Sequence, residues 1–322
     1  MKALVTGATG FVGSHLAEAL RRRGDDVTVL ARSAQKAQAL EPLGVRVVSG
    51  DLRNTAALAR AAEGQDELYH VAGVVAARNE AEFLAANRDG TANVVAAAEA
   101  AGRPRLVLVS SMAAGGPSPR DHPLRGDEPP APVTAYGRSK LAAEQVVRAC
   151  SLPWTIIRPP TVYGPRDREV LKVFQLVRLG LAPVFGDGTQ QLSAVHGADL
   201  AEALIAAARS GATAGRTYYA CHAEVVTSAE LVRCVGEAMG RRPLVIPVPA
   251  LVGRALLGVT GTAARIARRT TILTADKANE FFQPAWTGDP APLTRDSGWS
   301  AARDLRTGLA ETYRWYRSAG WL

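Results

Sequence analysis

The chain has 322 residues, of which 47% are hydrophobic and 21% are charged, a composition typical of a globular protein and not of a disordered or fibrous one. Its net charge of +8 would suit nucleic acid, a membrane surface or an anionic ligand, but the basic residues form no dense run interleaved with aromatic side chains, which argues against nucleic acid. Cys150, Cys221 and Cys234 lie far apart without the spacing of metal ligands, so we expect no metal site. We recognise no leader segment and no membrane-spanning run, and we expect a cytoplasmic protein.

Short apolar runs alternate with amphipathic segments through the first half of the sequence. The predicted strands read KALVTG, DDVTVLA, VRVVSGDL, ELYHVAG, PRLVLVSS and WTIIRPP. Because such βαβ repeats bury a parallel sheet between layers of helices, we predict an α/β fold with a doubly wound parallel sheet in residues 1–160. Beyond Thr161 the alternation weakens, and residues 161–322 are predicted to form a smaller, mostly helical substrate lobe. The chain is expected to return to the sheet at about residues 190–220, through VHGADLAEALIAAARS and RTYYAC.

The first strand leads directly into a glycine-rich turn and an amphipathic helix. Gly7, Gly10 and Gly13 have the spacing GxxGxxG where the strand becomes the helix. Such glycines allow a tight turn and a close approach of the backbone to a pyrophosphate, and the free N–H groups of the helix favour an anion. We therefore predict a Rossmann site for a nicotinamide dinucleotide. Its turn residues are Gly7, Thr9, Gly10, Phe11, Val12 and Gly13.

The end of the second strand bears on the choice between NAD and NADP. A carboxylate there would bind the ribose hydroxyls of NAD, whereas an arginine would pair with the 2′-phosphate of NADP. The sequence has Ala31, Arg32 and Ser33, which favours NADP; the alternative is that Arg32 is a solvated charge and NAD binds. Asp51 and Leu52 follow the third strand, where they either border the adenine or form a turn.

A serine, a tyrosine and a lysine form a second pattern. Ser110 and Ser111 follow the strand PRLVLVSS, at the edge where doubly wound sheets bind ligands. In the helical segment TAYGRSKLAAEQVVRA, Tyr136 and Lys140 lie four residues apart and therefore on one face. A phenol has a pKa of ~10, and a neighbouring ammonium would stabilise the phenolate and lower the pKa of Tyr136 towards the working range. These side chains suit proton exchange with a substrate oxygen.

The order of these motifs resembles the extended short-chain dehydrogenase/reductase family. The resemblance runs through TGATGFVG, GDL, HVAG, NRDGT, VSS, YGRSK and RPPTVYGPRD and covers essentially the whole chain. It implies that Tyr136 is the catalytic acid/base and that Lys140 tunes its pKa and anchors the ribose. Ser111, which lies five residues before Gly116, would orient the substrate oxygen. Besides Tyr136 and Lys140, the resemblance places these residues at the cofactor: Val71, Ala72, Gly73, Asn87, Pro159 and Val162.

Several departures indicate which branch of that family the sequence resembles more closely. Sugar-nucleotide members tend to have an asparagine before VYGP and an arginine after the GDGTQ turn, where this chain has Thr161 and Leu192. A leucine cannot neutralise a diphosphate, so we expect a less charged substrate. Met112 and Ala113 stand where family dehydratases carry Asp-Glu. The comparison favours the branch of dihydroflavonol reductases and hydroxysteroid dehydrogenases.

Candidates outside the main motifs have two interpretations each. Residues 249–273 are apolar with four arginines, which indicates either a helix at a membrane surface or an ordinary helix of the second lobe. Arg166 and Asp167 either border the substrate or start a helix, and His196 is expected to be a packed structural residue. The four arginines are Arg254, Arg265, Arg268 and Arg269.

The sequence thus predicts an oxidoreductase that transfers a hydride between NADP, with NAD as the alternative, and a ketone or secondary alcohol. The expected substrate is small and largely apolar, of steroid, flavonoid or 3-keto-acyl type. The alternatives are a nucleotide-sugar epimerase with tightly bound NAD and a non-catalytic NADP-binding subunit. The resemblance implies a homodimer, and the segment 249–273 suggests a peripheral membrane contact.

Overall fold

The computed structural model describes residues 1–267 and 270–322, so the candidates Arg268 and Arg269 lie outside the described residues. The strands are β1 (Lys2–Thr6), β2 (Asp26–Ala31), β3 (Arg46–Ser49), β4 (Glu67–His70), β5 (Arg105–Val109), β6 (Trp154–Arg158), β7 (Thr161–Tyr163), β8 (Leu181–Phe185), β9 (Gln191–Leu192), β10 (Ala194–His196), β11 (Arg216–Tyr219), β12 (Val226–Thr227), β13 (Leu244–Val248) and β14 (Ala285–Trp286). The helices are α1 (Phe11–Arg22), α2 (Ala34–Gln38), α3 (Thr55–Ala62), α4 (Glu80–Leu84), α5 (Gly90–Ala100), α6 (Met112–Gly115), α7 (Ala135–Ala149), α8 (Glu169–Arg178), α9 (Gly197–Arg209), α10 (Ser228–Ala238), α11 (Ala250–Ile266), α12 (Ala278–Phe281), α13 (Ala291–Ser297) and α14 (Leu305–Ser318).

A seven-stranded parallel sheet organises the N-terminal part, in the order β11-β6-β5-β4-β1-β2-β3. Successive side chains of a strand point to opposite faces, so Val5 packs with α1 and α9 while its neighbour Leu4 packs with α3, α5 and α7. The sheet is buried on both faces by helices, and its strands are accordingly near-continuous apolar runs. The predicted α/β fold with a doubly wound Rossmann sheet is confirmed.

The second lobe is smaller and mostly helical, as predicted, and it also contains three small groups of strands. These are β7 with β10, β9 with β12 and β14, and β8 with β13. Its core includes Phe174, Val235, Leu309 and Tyr316. The division of the chain at residue 160, with a return at about 190–220, stays a prediction. In residues 1–267 and 270–322 no helix combines the length and the apolar character needed to cross a bilayer.

Candidate active site

The turn between β1 and α1 is built around glycines that have no room for a side chain. Gly7 has a φ of +78°, and a Cβ on it would lie 2.7 Å from the backbone nitrogen of Ala72. A Cβ on Gly13 would lie 2.2 Å from the carbonyl oxygen of Gly7, so α1 packs directly on the turn. Helix α1 begins at Phe11 after Gly10 without a side-chain cap, which leaves its first N–H groups available to an anion. This cradle fits the pyrophosphate of a dinucleotide.

The other predicted turn residues follow in the same segment. Thr9 is exposed on the turn, and Phe11 and Val12 are partly buried in the first turn of α1. At the end of β2, Arg32 is exposed and makes no hydrogen bond or ion pair with any residue that the structure describes. Ser33 caps α2 by accepting from the N–H of Lys36.

Asp51 is held by its own turn. Its Oδ1 accepts from the N–H groups of Arg53 at 2.9 Å and Asn54 at 3.2 Å, and these bonds lower the pKa of the carboxyl. Leu52 packs where α5 begins, since a Cβ on Gly90 would lie 2.9 Å from its Cδ1. Of the two interpretations of Asp51, the geometry favours the turn carboxylate.

A directed chain of hydrogen bonds lies beneath the end of β4. The Ala72 N–H donates to Thr6 Oγ1 at 3.3 Å, and Thr6 Oγ1 lies 2.7 Å from His70 Nδ1. On the other side, Thr91 Oγ1 donates to the Asn87 carbonyl at 2.6 Å and lies 2.9 Å from His70 Nε2. Because the Thr91 hydroxyl is already donating, it accepts from Nε2–H, which assigns the neutral Nε2–H tautomer to His70. Burial, assisted by the charge of Lys140, lowers the pKa of His70 to about 3.

Asn87 ties this chain to the loop after β4. Its side chain accepts from the Val74 N–H at 2.9 Å and donates to the Val74 carbonyl at 3.1 Å and to Ser139 Oγ at 2.9 Å. A Cβ on Gly73 would lie 3.6 Å from Lys140 Nζ. The predicted cofactor residues after β4 and the predicted catalytic helix α7 are therefore neighbours.

Helix α7 carries the partly exposed Tyr136 and the buried Lys140. Burial raises the pKa of Tyr136 to about 12; the nearby Ser111 hydroxyl lowers it and the charge of Glu280 raises it. Burial lowers the pKa of Lys140 to about 8, against the opposing effect of Glu144. The expected lowering of the Tyr136 pKa by Lys140 is not met in this structure, because Lys140 Nζ donates to the Val109 carbonyl at 2.7 Å.

Ser111 stands beside this pair at the end of β5. Its Oγ accepts from the Ala113 N–H at 3.2 Å and so caps the short helix α6. The next N–H, that of Met112, donates to the Pro159 carbonyl at 2.9 Å, which brings the end of β6 against the serine loop. Val162 lies in β7, paired with Val195 of β10. The structure thus brings the three predicted catalytic residues to one sheet edge, and their roles stay predictions.

A buried ion-pair network lies behind Lys140. Glu144 Oε1 accepts from Ser110 Oγ at 2.5 Å and from Arg158 Nε at 2.9 Å, while its Oε2 accepts from Arg158 Nη2 at 2.7 Å and Arg148 Nη2 at 2.8 Å. Burial acts to raise the pKa of Glu144, but its bonds to Arg158 outweigh burial and the pKa is lowered. This network joins α7 to the strand ends that carry Ser111 and Pro159.

A segment of the second lobe covers Tyr136. The ammonium of Lys277 lies 5.6 Å from the centre of the Tyr136 ring and forms an ion pair with Glu280. Glu280 Oε1 accepts from Thr134 Oγ1 at 2.6 Å, at the residue that caps α7. From the opposite side the ring of Phe83 approaches that of Tyr136 to 5.9 Å.

Three side chains that the sequence left open have structural partners. Arg166 pairs with Glu18, and its Nη2 lies 3.1 Å from His15 Nδ1. Asp167 accepts from the N–H groups of Glu169 and Val170 and so starts α8. His196 is buried and caps α9 through Nδ1, in keeping with the structural interpretation.

Comparison with known proteins identifies the family. A model of the NAD dependent epimerase/dehydratase family matches residues 3–221. The chain belongs to this family. Among its relatives, a ceramide reductase from Caulobacter vibrioides is 34% identical over 99% of this chain and 95% of its own length. A 2-alkyl-3-oxoalkanoate reductase from Stenotrophomonas maltophilia is 33% identical over 74% of this chain and 76% of its own length.

Solved structures of family members superpose along nearly the whole chain. The crystal structure of gox2253 has a TM-score of 0.83 at 26% identity, covering 99% of this chain and 98% of that one. MoeE5 in complex with UDP-glucuronic acid and NAD has a TM-score of 0.78 at 26% identity, covering 99% and 100%. The resemblance to the extended short-chain dehydrogenases/reductases is confirmed, and the chain is an NAD(P)-dependent enzyme of that type.

Sequence reasoning missed the residues that surround the family's tyrosine and lysine. Arg158 ends an otherwise apolar strand, and a buried charge requires a partner, so WTIIRPP carried a signal for the network around Glu144. Lys277, Glu280 and Phe83 gave no such signal, because they are distant in sequence from Tyr136 and come to it only through the packing of the two lobes.

Proposed function

We propose that this chain is an NADP-dependent reductase of ketones on lipid-like, largely apolar molecules. The observation that carries the proposal is the surrounding of the Tyr136 phenol, which lies between the Phe83 ring at 5.9 Å and the Lys277 ammonium at 5.6 Å. The Phe281 ring follows at 6.0 Å from the same ammonium. Aromatic faces bind apolar carbon, and a single cation can orient an electron-rich oxygen. Both relatives are named as reductases, of ceramide and of 2-alkyl-3-oxoalkanoates.

The chain's own residues supply proton transfer and positioning. When bound, the nicotinamide supplies or accepts a hydride. Tyr136 OH gives its proton to the carbonyl oxygen as that oxygen becomes an alcohol, and Ser111 Oγ donates a second hydrogen bond to the same oxygen. Lys140 Nζ, as an ammonium, stabilises the phenolate left on Tyr136, and its position beside Gly73 suits a ribose anchor.

Arg32 supports NADP as the preferred cofactor. Its guanidinium is exposed at the end of β2, directly after Ala31, where no carboxylate competes for the ribose. A guanidinium pairs with a phosphate in a bidentate, charge-assisted manner that ribose hydroxyls do not offer. The glycine cradle at Gly7 and Gly13 would serve either cofactor.

One assay tests substrate and cofactor together. Oxidation of NADPH and of NADH is followed by absorbance with 2-alkyl-3-oxoalkanoates, long-chain 3-oxo amides, ketosteroids and UDP-sugars. We expect turnover of the apolar ketones with NADPH, and a loss of more than ~100-fold in kcat for Tyr136→Phe. Arg32→Ala is expected to weaken NADPH about tenfold or more while leaving NADH unchanged, with the 87% exposed Arg53 as the matched control in Arg53→Ala.

A nucleotide-sugar epimerase is the second candidate, because MoeE5 is solved with UDP-glucuronic acid and NAD. An epimerase would convert a UDP-sugar without net consumption of cofactor. Such conversion, together with no oxidation of NADPH by any ketone of the panel, would overturn the reductase proposal. A protein that binds NADPH but turns over neither class would instead be the non-catalytic subunit. Dimer formation stays a prediction of the resemblance.

A further inference from the structure

Helix α11 presents an apolar face to solvent. Its four large exposed side chains lie within an arc of about 140° on a helix with 3.6 residues per turn. Ala255 lies inside the same arc, and Arg254 lies at its border. The exposed fractions are 83% for Leu251, 56% for Val252, 54% for Leu256 and 67% for Val259. Monomeric proteins rarely leave so many neighbouring aliphatic side chains in water without a binding partner.

The opposite face of α11 packs on an aromatic cluster that leads to the catalytic tyrosine. Leu257 is buried, and a Cβ on Gly253 would lie 2.5 Å from the Phe282 ring and 3.1 Å from the Phe185 ring. The Phe185 ring stacks on Phe281 at 4.6 Å. The ammonium of Lys277 lies between the Phe281 and Tyr136 rings, at 6.0 and 5.6 Å. One helix therefore has its outer face in solvent and its inner face on the wall of the candidate site.

The sequence around α11 is charged with one sign only. Between Glu237 and Asp276 it contains six arginines and no aspartate or glutamate. The guanidinium of Arg254 lies over the Phe282 ring at 5.5 Å, at the border of the apolar face. An aliphatic face bordered by arginines is complementary to an anionic lipid surface. The six residues are Arg241, Arg242, Arg254, Arg265, Arg268 and Arg269.

We infer that α11 docks this protein on anionic lipid bilayers, with Leu251, Leu256 and Val259 inserted at the level of the headgroups. At 17 residues α11 is shorter than a spanning helix, and its inner face is occupied by protein, so it lies in the plane of the interface. The inference deepens the proposed function and rests on it in one respect: a lipid-like ketone resides in the bilayer, and the cluster of Phe185, Phe281 and Phe282 provides an apolar route from there towards Tyr136.

Vesicle sedimentation of the full chain, without substrate or cofactor, tests the docking. We expect the protein to sediment with vesicles of equimolar phosphatidylcholine and phosphatidylglycerol, and far less with phosphatidylcholine alone. The double variant Leu256→Asp/Val259→Asp should lower binding by more than about tenfold, since each buried aliphatic side chain contributes roughly that factor. Val47→Asp, which alters a 39% exposed valine on the edge strand β3, is the matched control and should bind as the wild type does.

Two further measurements keep the outcomes distinct. Raising the ionic strength should release the wild-type protein, because headgroup attraction is screened; this arm needs no variant and holds even if the double variant fails to fold. The inference is wrong if the wild type ignores both kinds of vesicle, or if the double variant binds as well as the wild type. It is equally wrong if light scattering shows that the double variant turns a dimer into a monomer, since the face then joins two copies. Because no turnover is measured, a failed ketone assay leaves this result untouched.

Discussion

The buried ammonium of Lys140 predicts an alkaline limit to ketone reduction. Burial disfavours the charged form and lowers the pKa of Lys140 to about 8, so the ammonium that stabilises the Tyr136 phenolate is lost above that pH. We expect kcat/KM for reduction to be level below about pH 8 and to fall above it. The charge of Glu144 raises the pKa of Lys140, so Glu144→Gln should move the falling limb to lower pH, as measured by pH profiles of both proteins.

The control for this prediction is another acidic partner of α7. Glu80 pairs with Arg138 on the solvent side of the helix, and Glu80→Gln should leave the limb in place. Glu144→Gln also leaves the buried Arg158 with a neutral partner, and we expect it to lower stability by about 3–5 kcal/mol, so the profile is recorded well below the melting temperature. A limb that does not move in Glu144→Gln, in a protein that is still folded, contradicts the role given to Lys140.

At the scale of elements, the β1–α1 turn allows two glycines of the same conformation to be compared. Gly7 and Gly24 have φ values of +78° and +80°, so alanine at either position introduces left-handed strain of about 1–2 kcal/mol. A Cβ at position 24 meets no atom within 4 Å, whereas at position 7 it lies 2.7 Å from the Ala72 nitrogen and must displace the turn. Titration of cofactor fluorescence should show at least a ~30-fold weaker Kd for NADPH in Gly7→Ala, a loss of about 2 kcal/mol.

Gly24→Ala separates the cradle from the strain. It should unfold at lower urea concentration than the wild type and still bind NADPH with the same Kd. Equal loss of NADPH binding in both variants would show that the strained backbone, and not the space at Gly7, determines the affinity.

Elements of this chain differ in how far the sequence predicts them. The strands of the large sheet and the turn at Gly7 are local features, because each apolar run and each glycine has its meaning within a few residues. The pairing of β8 with β13 is different: both strands are short, and Leu181 meets Leu244 only after more than sixty residues of chain. Patterns of period two do not select a partner at that distance, so the second lobe was predicted only as mostly helical.

On the scale of the whole molecule, the same distinction divides the candidate site. Ser111, Tyr136 and Lys140 were found because their spacing on one strand end and one helix carries chemical meaning. The Lys277–Glu280 pair reaches Tyr136 only because the second lobe folds back over α7, through the bond from Thr134 to Glu280. Substrate preference therefore depends on residues whose position is set by tertiary packing, which is why sequence motifs assign the reaction type more sharply than the substrate.

Three buried histidines make the stability of the whole fold sensitive to mild acid. Burial lowers the pKa of His70 to about 3 and those of His15 and His196 to about 4, while in the unfolded chain each titrates near ~6.5. Their contribution is thus complete above pH ~6.5 and is lost as pH falls, by about 1.4 kcal/mol per pH unit for each histidine. Urea unfolding between pH 7 and 5 should show this slope, reduced by about a third in His70→Gln and unchanged in a variant of the exposed His122, His122→Gln. A flat free energy of unfolding across that range would show that the buried rings accept protons in the folded state.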